Sequence, residues 1–94
     1  MDQNTRGSLE KMLDDFVDNW TRTEDTKVIF DDAVISSEKD LELGYQIGEI
    51  AGGCVIVLRL LSKDATDEDM KELLKMVKRR VPELSSKIEM ELNK

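Results

Sequence analysis

Between Ser37 and Leu61 the apolar residues Leu43, Ile47, Ile50, Cys54, Val57 and Leu61 recur at alternating spacings of four and three. That rhythm holds six side chains on one stripe of an α-helix and makes the segment the seam of an antiparallel bundle or coiled coil. Gly44, Gly48 and Gly52 stand four apart in the same stretch. On a helix they form a strip without side chains, where a second backbone can approach closely and recover dispersion contacts. Ser37, three residues before Asp40, supplies a start signal of the capping-box kind, with aspartate in place of glutamate.

A second reading of 41–61 competes. Leu41, Leu43, Tyr45 and Ile47 alternate with Glu42, Gly44, Gln46 and Gly48, and Ala51-Gly52-Gly53 can turn a hairpin into the run from Cys54 to Leu61. Glycine weakens either regular element by roughly 0.5–1 kcal/mol, so propensity does not separate the two. The regular glycine spacing favours the helix.

The flanking segments are helical by the same criterion. Leu9, Met12, Leu13, Phe16, Val17 and Trp20 lie on one face, with Ser8 as the natural N-cap and Glu10, Asp14, Asp15 and Asp18 opposite. Residues 1–7 are polar and aperiodic and read as a disordered tail. Lys27 to Ile35 holds six apolar residues in nine around Asp31-Asp32, a pattern that suits a short helix or a two-strand turn; the helix is preferred, and either is buried. Thr66 with Asp69 opens a further helix striped by Met70, Leu73, Leu74, Val77 and Val81; Pro82 ends it and starts a short last one with Leu84, Ile88 and Leu92 inward.

The expected fold is therefore all-α: a bundle of four to five helices over residues 8–94, one domain, with an α+β hairpin fold as the alternative. A chain of 94 residues with only 4% aromatics buries roughly 60–65% of its unfolded surface, a thin core that self-association would complete.

Charge narrows the partners. A formal net charge of -7 and a pI near 4.6 oppose direct binding to nucleic acid or anionic membrane, whose counterions a cationic surface has to replace. The longest apolar run, Ile50 to Leu61, spans only about 18 Å as a helix, short of a bilayer core of about 30 Å. A single cysteine, Cys54, excludes an internal disulfide, and no secretory leader pattern is present. The expectation is a cytoplasmic or other intracellular protein.

With no histidine in the chain, imidazole-based catalysis and the commonest metal ligand are excluded. Cys54 sits in the apolar run Cys54-Val55-Ile56-Val57, the setting of an inert thiol. Asp14, Asp15 and Asp18 match the letters DDxxD, a pattern that resembles the magnesium-diphosphate motif of isoprenoid synthases, but those enzymes need a longer bundle and a second acidic motif. The all-helical nucleotide pyrophosphohydrolases pair an EExxE with a later ExxD, and no ExxD follows Asp18. The acids from Asp64 to Asp69 lack the glycine and glutamate of a calcium loop; carboxylates in a helix's first turn interact favourably with its dipole. No catalytic residue, metal site or cofactor is assigned.

Residues 1–40 carry 11 acids and 5 bases, whereas residues 41–94 carry 10 and 9. Lys71, Lys75, Lys78 and Arg79 lie near one helix face; the favoured reading is a solvated surface, and the alternative is that they meet the acidic face of Asp14, Asp15 and Asp18 within a bundle or across a dimer. The functional expectation is a non-enzymatic protein-protein interaction module, self-associating as dimer or tetramer through Gly44, Gly48 and Gly52 with Leu43, Ile47, Ile50 and Val57, and regulating or scaffolding another protein. The alternative is an acidic inhibitor that covers a cationic site of an enzyme or nucleic-acid-binding protein; a magnesium-dependent hydrolase is the remote third.

Overall fold

The computed structural model describes residues 1–23 and 37–94. The described residues form three helices: α1 (Gln3–Asp18), α2 (Glu38–Leu61) and α3 (Asp67–Leu92). Each packs against the other two. The described residues contain no strand, so the helical reading of 41–61 holds and the hairpin does not. The count is lower than the four to five expected: the segment from Lys27 to Ile35 lies outside the described residues, and the break expected at Pro82 does not occur.

α2 begins where the sequence places it. The Ser37 side chain accepts a hydrogen bond from the Asp40 amide at 3.2 Å, satisfying one of the unpaired donors of the first turn. Its buried row is Glu42, Gln46, Ile50, Cys54 and Leu58, a strict i+4 ridge inclined to the helix axis. Ile47, Ala51, Val55 and Val57 are half-buried against the same core. Two neighbours flank this helix, so the buried face is wider than a two-helix seam and includes two polar residues.

α1 starts earlier than Ser8. Asp2 is the N-cap and accepts from the Thr5 amide at 2.7 Å, so the expected tail of residues 1–7 enters the first turns of a helix. Thr5 is buried and extends the stripe of Leu9, Leu13 and Val17 by one turn. Polar contacts bind this end to α3: the Met1 ammonium to Asp69 at 2.8 Å and Arg6 Nε to Glu72 at 2.8 Å. A threonine in the apolar register hid this turn.

α3 opens with the expected reciprocal box, Thr66 N–H to Asp69 at 3.0 Å and Asp69 N–H to Thr66 Oγ1 at 3.2 Å. It then runs through Pro82. The residue is exposed, on the side away from Leu73, Val77 and Leu84, so the Lys78 carbonyl deprived of its donor can turn to water. The main core joins Leu9 and Leu13 of α1, Ile50, Cys54 and Leu58 of α2, and Leu73, Met76 and Val77 of α3. Each large apolar side chain there contributes about 1.5–3 kcal/mol over an exposed one.

Candidate interaction surface

The outer face of α2 follows from its inner one. With Ile50, Cys54 and Leu58 turned inward, the helical period puts Leu41, Gly44, Tyr45, Gly48, Gly52 and Ile56 outward. All six are exposed, Ile56 to 62%. Leu60 is exposed to 75% and Leu61 to 50% at the end of the same helix, and Leu74 of α3 to 53%. Isolated exposed leucines are ordinary on a protein surface. Several along one helix, with no carboxylate outward between Leu41 and Ile56 except Glu49, are an apolar strip of the kind that marks an association site.

Gly44, Gly48 and Gly52 do not meet another helix among the described residues. A Cβ built at Gly44, Gly48 or Gly52 has nothing within 4 Å among the described residues. The close approach falls instead at Gly53, where a Cβ would stand 3.1 Å from Met12 Cε. Sequence reasoning passed over Gly53 because it breaks the four-residue spacing; its phase, on the α1 side of Ile50 and Cys54, was the available signal. Of the seam residues expected at an interface, Ile50 is buried and Leu43, Ile47 and Val57 are half-buried. The structure thus separates the set: the glycines look outward, and the seam serves the chain's own core.

α2 is also long and apolar enough, by length and composition, to cross a membrane. At 24 residues and 1.5 Å per residue it reaches about 36 Å, further than the Ile50–Leu61 run alone, because the glycines and uncharged residues before Ile50 extend it. The core helix of a soluble bundle passes the same test when mostly buried, yet only 28% of the apolar window is buried here. On its inner side lies Glu42, with no exposed surface, whose Oε1 is 3.8 Å from Arg22 Nε. Arg22 also binds Glu38 at 2.5 Å.

Within one chain, and among the described residues, Lys71, Lys75, Lys78 and Arg79 are exposed and form no ion pair with Asp14, Asp15 or Asp18, as the solvated reading of that face has it. Asp14 and Asp18 are both held by Arg80, the latter at 3.0 Å, and Lys87 donates to the carbonyls of Val17 and Asp18. Arg80 falls in the register of Leu73, Val77 and Leu84, so it leaves α3 toward α1. Lys71 and Lys75 border a cleft with Met1, and Lys71 pairs along its own helix with Glu68 at 3.4 Å. Arg79 is closest to expectation, bordering with Asp14 a small cleft between α1 and α3.

Asp15 parts from its two neighbours. It borders a different cleft, of about 430 Å³, formed by the end of α1, the residues that follow it and α2. The three acids therefore do not converge on one point, and among the described residues no three acidic or thiol groups are placed to hold a metal. Cys54 has no exposed surface, and loss of solvation pushes its thiol pKa up, away from the reactive thiolate. No protein-family model, no curated protein and no solved structure matches this chain.

Proposed function

We propose that the protein is a non-enzymatic interaction module that associates with a second copy of itself through the outer face of α2, and in that form scaffolds or regulates another protein inside the cell. One observation carries the reading: the most apolar helix leaves most of its apolar window uncovered, with Gly48 and Gly52 at the centre of the open face. A second α2 laid across the glycines would approach backbone to backbone and bury Leu41, Ile56 and Leu60 beside them.

Glu49, near the middle of α2 and exposed, favours association in water over insertion in a bilayer, since a charged side chain at the centre of a membrane-spanning helix costs about 2.5–3.5 kcal/mol. The inhibitor reading loses support from Arg80, whose guanidinium engages Asp14 and Asp18 within the chain, two of the three acids it would offer. Sedimentation equilibrium at low and high salt tests the proposal. The expected result is a dimer or tetramer mass that persists in high salt and collapses to monomer in Gly48→Leu, with the helical circular dichroism unchanged. A wild-type monomer at all concentrations would overturn it, and a mass that falls steeply with salt would transfer the reading to charge-led binding.

A further inference from the structure

The cleft at the end of α1 has a composition unlike the rest of the surface. The chain has four aromatic residues, and three of them, Phe16, Trp20 and Tyr45, line it together with the acids Asp15 and Glu49. Among the described residues, lysine and arginine are absent from the lining. Arg22, which follows the lining residue Thr21, is turned instead toward Glu38 and Glu42. The two carboxylates also differ from the other acids at the end of α1: Asp14 and Asp18 share an ion pair with Arg80, whereas Asp15 and Glu49 enter no ion pair among the described residues.

We propose that this cleft is a binding site for a small organic cation of the alkylammonium class, with a di- or polyamine as the fitting form. Aromatic rings attract a cation through their quadrupole by about 0.5–1 kcal/mol at exposed sites and about 2 when desolvated. Carboxylates add charge-assisted hydrogen bonds to the ammonium protons. Asp15 and Glu49 come from different helices, so a ligand with two separated charges engages both. The volume suits a small ligand, within the range of roughly 300–1,000 Å³ usual for such sites. A bare divalent cation suits it poorly: calcium needs six to eight oxygen ligands, and the described residues supply no metal-holding group. An anion would meet two carboxylates and no counter-charge among the described lining residues.

Trp20 is the chain's sole tryptophan, so its fluorescence reports on the cleft directly. Spermidine, putrescine and tetramethylammonium are titrated into the wild-type protein, with sodium chloride and magnesium chloride at matched ionic strength as controls. The expected result is a saturable change in Trp20 emission with the amines, strongest for spermidine, and an affinity about tenfold lower in Asp15→Asn/Glu49→Gln. Both positions are exposed, and circular dichroism checks that the variant keeps its helices. Three results would overturn the site: a change that never saturates, one that either salt reproduces, or equal affinity in the double variant. Repeating the titration on Gly48→Leu separates this site from self-association, because the amine response is expected whether or not that variant is monomeric.

Discussion

The ammonium of Lys87, on α3, donates to the main-chain carbonyl of Val17, in the last turn of α1, at 2.8 Å, and to that of Asp18 at 2.9 Å. The final carbonyls of a helix have no partner of their own and carry the negative end of its dipole. Lys87 thus caps α1 from a different helix, next to Arg80 on Asp14 and Asp18. Lys87→Met keeps the aliphatic stem and removes the donors. Its expected cost is about 1–2 kcal/mol, below the upper range for hydrogen bonds to charged groups because part of this contact is exposed. Urea unfolding checks it, and a midpoint equal to wild type would show that water replaces the cap without loss.

Two adjacent glycines in α2 are expected to respond oppositely to alanine. Gly52→Ala meets open space and should raise helix stability by up to about 1 kcal/mol. Gly53→Ala gains the same propensity but forces Met12 Cε back from 3.1 Å, so the gain is expected to vanish or reverse. Thermal unfolding of both variants at one low concentration, where association contributes least, reads the difference. Equal stabilisation of the two would mean that α1 does not approach α2 at Gly53.

The pair between the Met1 ammonium and Asp69 gives stability a pH window. The hydrogen bond to Asp69 raises the amine above its ordinary value, and the same bond, with the Thr66 amide, holds the Asp69 carboxyl below the usual carboxylate range. A raised amine contributes fully below its unfolded pKa of about 8 and loses that contribution as pH rises through the folded value. A lowered carboxyl contributes above about pH 4 and loses it as pH falls through its own folded value. Urea midpoints measured from pH 2 to 10 should show both limbs. Acetylation of the Met1 amine should remove the alkaline one, and its survival would assign that limb to other groups.

How much of this was legible in the residues depends on the neighbours each helix met. The three helix cores, the Ser37 cap and the Thr66–Asp69 box are local features, and the sequence places them correctly. The start of α1 was hidden by Thr5, a polar residue occupying an apolar register. Arg80 was overlooked in favour of Lys71, Lys75, Lys78 and Arg79 because clustering in sequence was weighed above phase with Leu73 and Val77. Glu42 and Gln46 lie in the buried row, beside Arg22 and the cleft residues Phe16 and Trp20 respectively, neighbours that periodicity along α2 alone cannot reveal. The cleft of Phe16, Trp20 and Tyr45 joins residues from two helices and the segment after the first, and no local pattern announces it.

Cys54 is expected to report on unfolding. Its thiol is fully buried and its pKa raised by desolvation, so both access and thiolate formation require the helices to part. Reaction with a disulfide reagent at pH 8 should be slow and should accelerate with urea in step with the loss of circular dichroism. Rapid stoichiometric labelling of the folded protein would place Cys54 in a region that opens locally.

Pro82 sits where a helix least tolerates it, inside α3 between Arg80 and Lys87. Proline in a helix interior is about 3 kcal/mol less favourable than alanine, since the Lys78 carbonyl loses its donor and the ring crowds it. Alanine would restore the donor but return conformational freedom to the unfolded chain, worth about 0.4–1 kcal/mol in the other direction. Pro82→Ala is therefore expected to stabilise the protein by about 2 kcal/mol, seen as a higher urea midpoint with an unchanged slope. Arg80 and Lys87, which flank the proline, both reach α1. A fall in stability would then mean that the local bend imposed by the ring aligns these two cations with α1, and Pro82→Ala combined with Lys87→Met would cost less than the two changes summed.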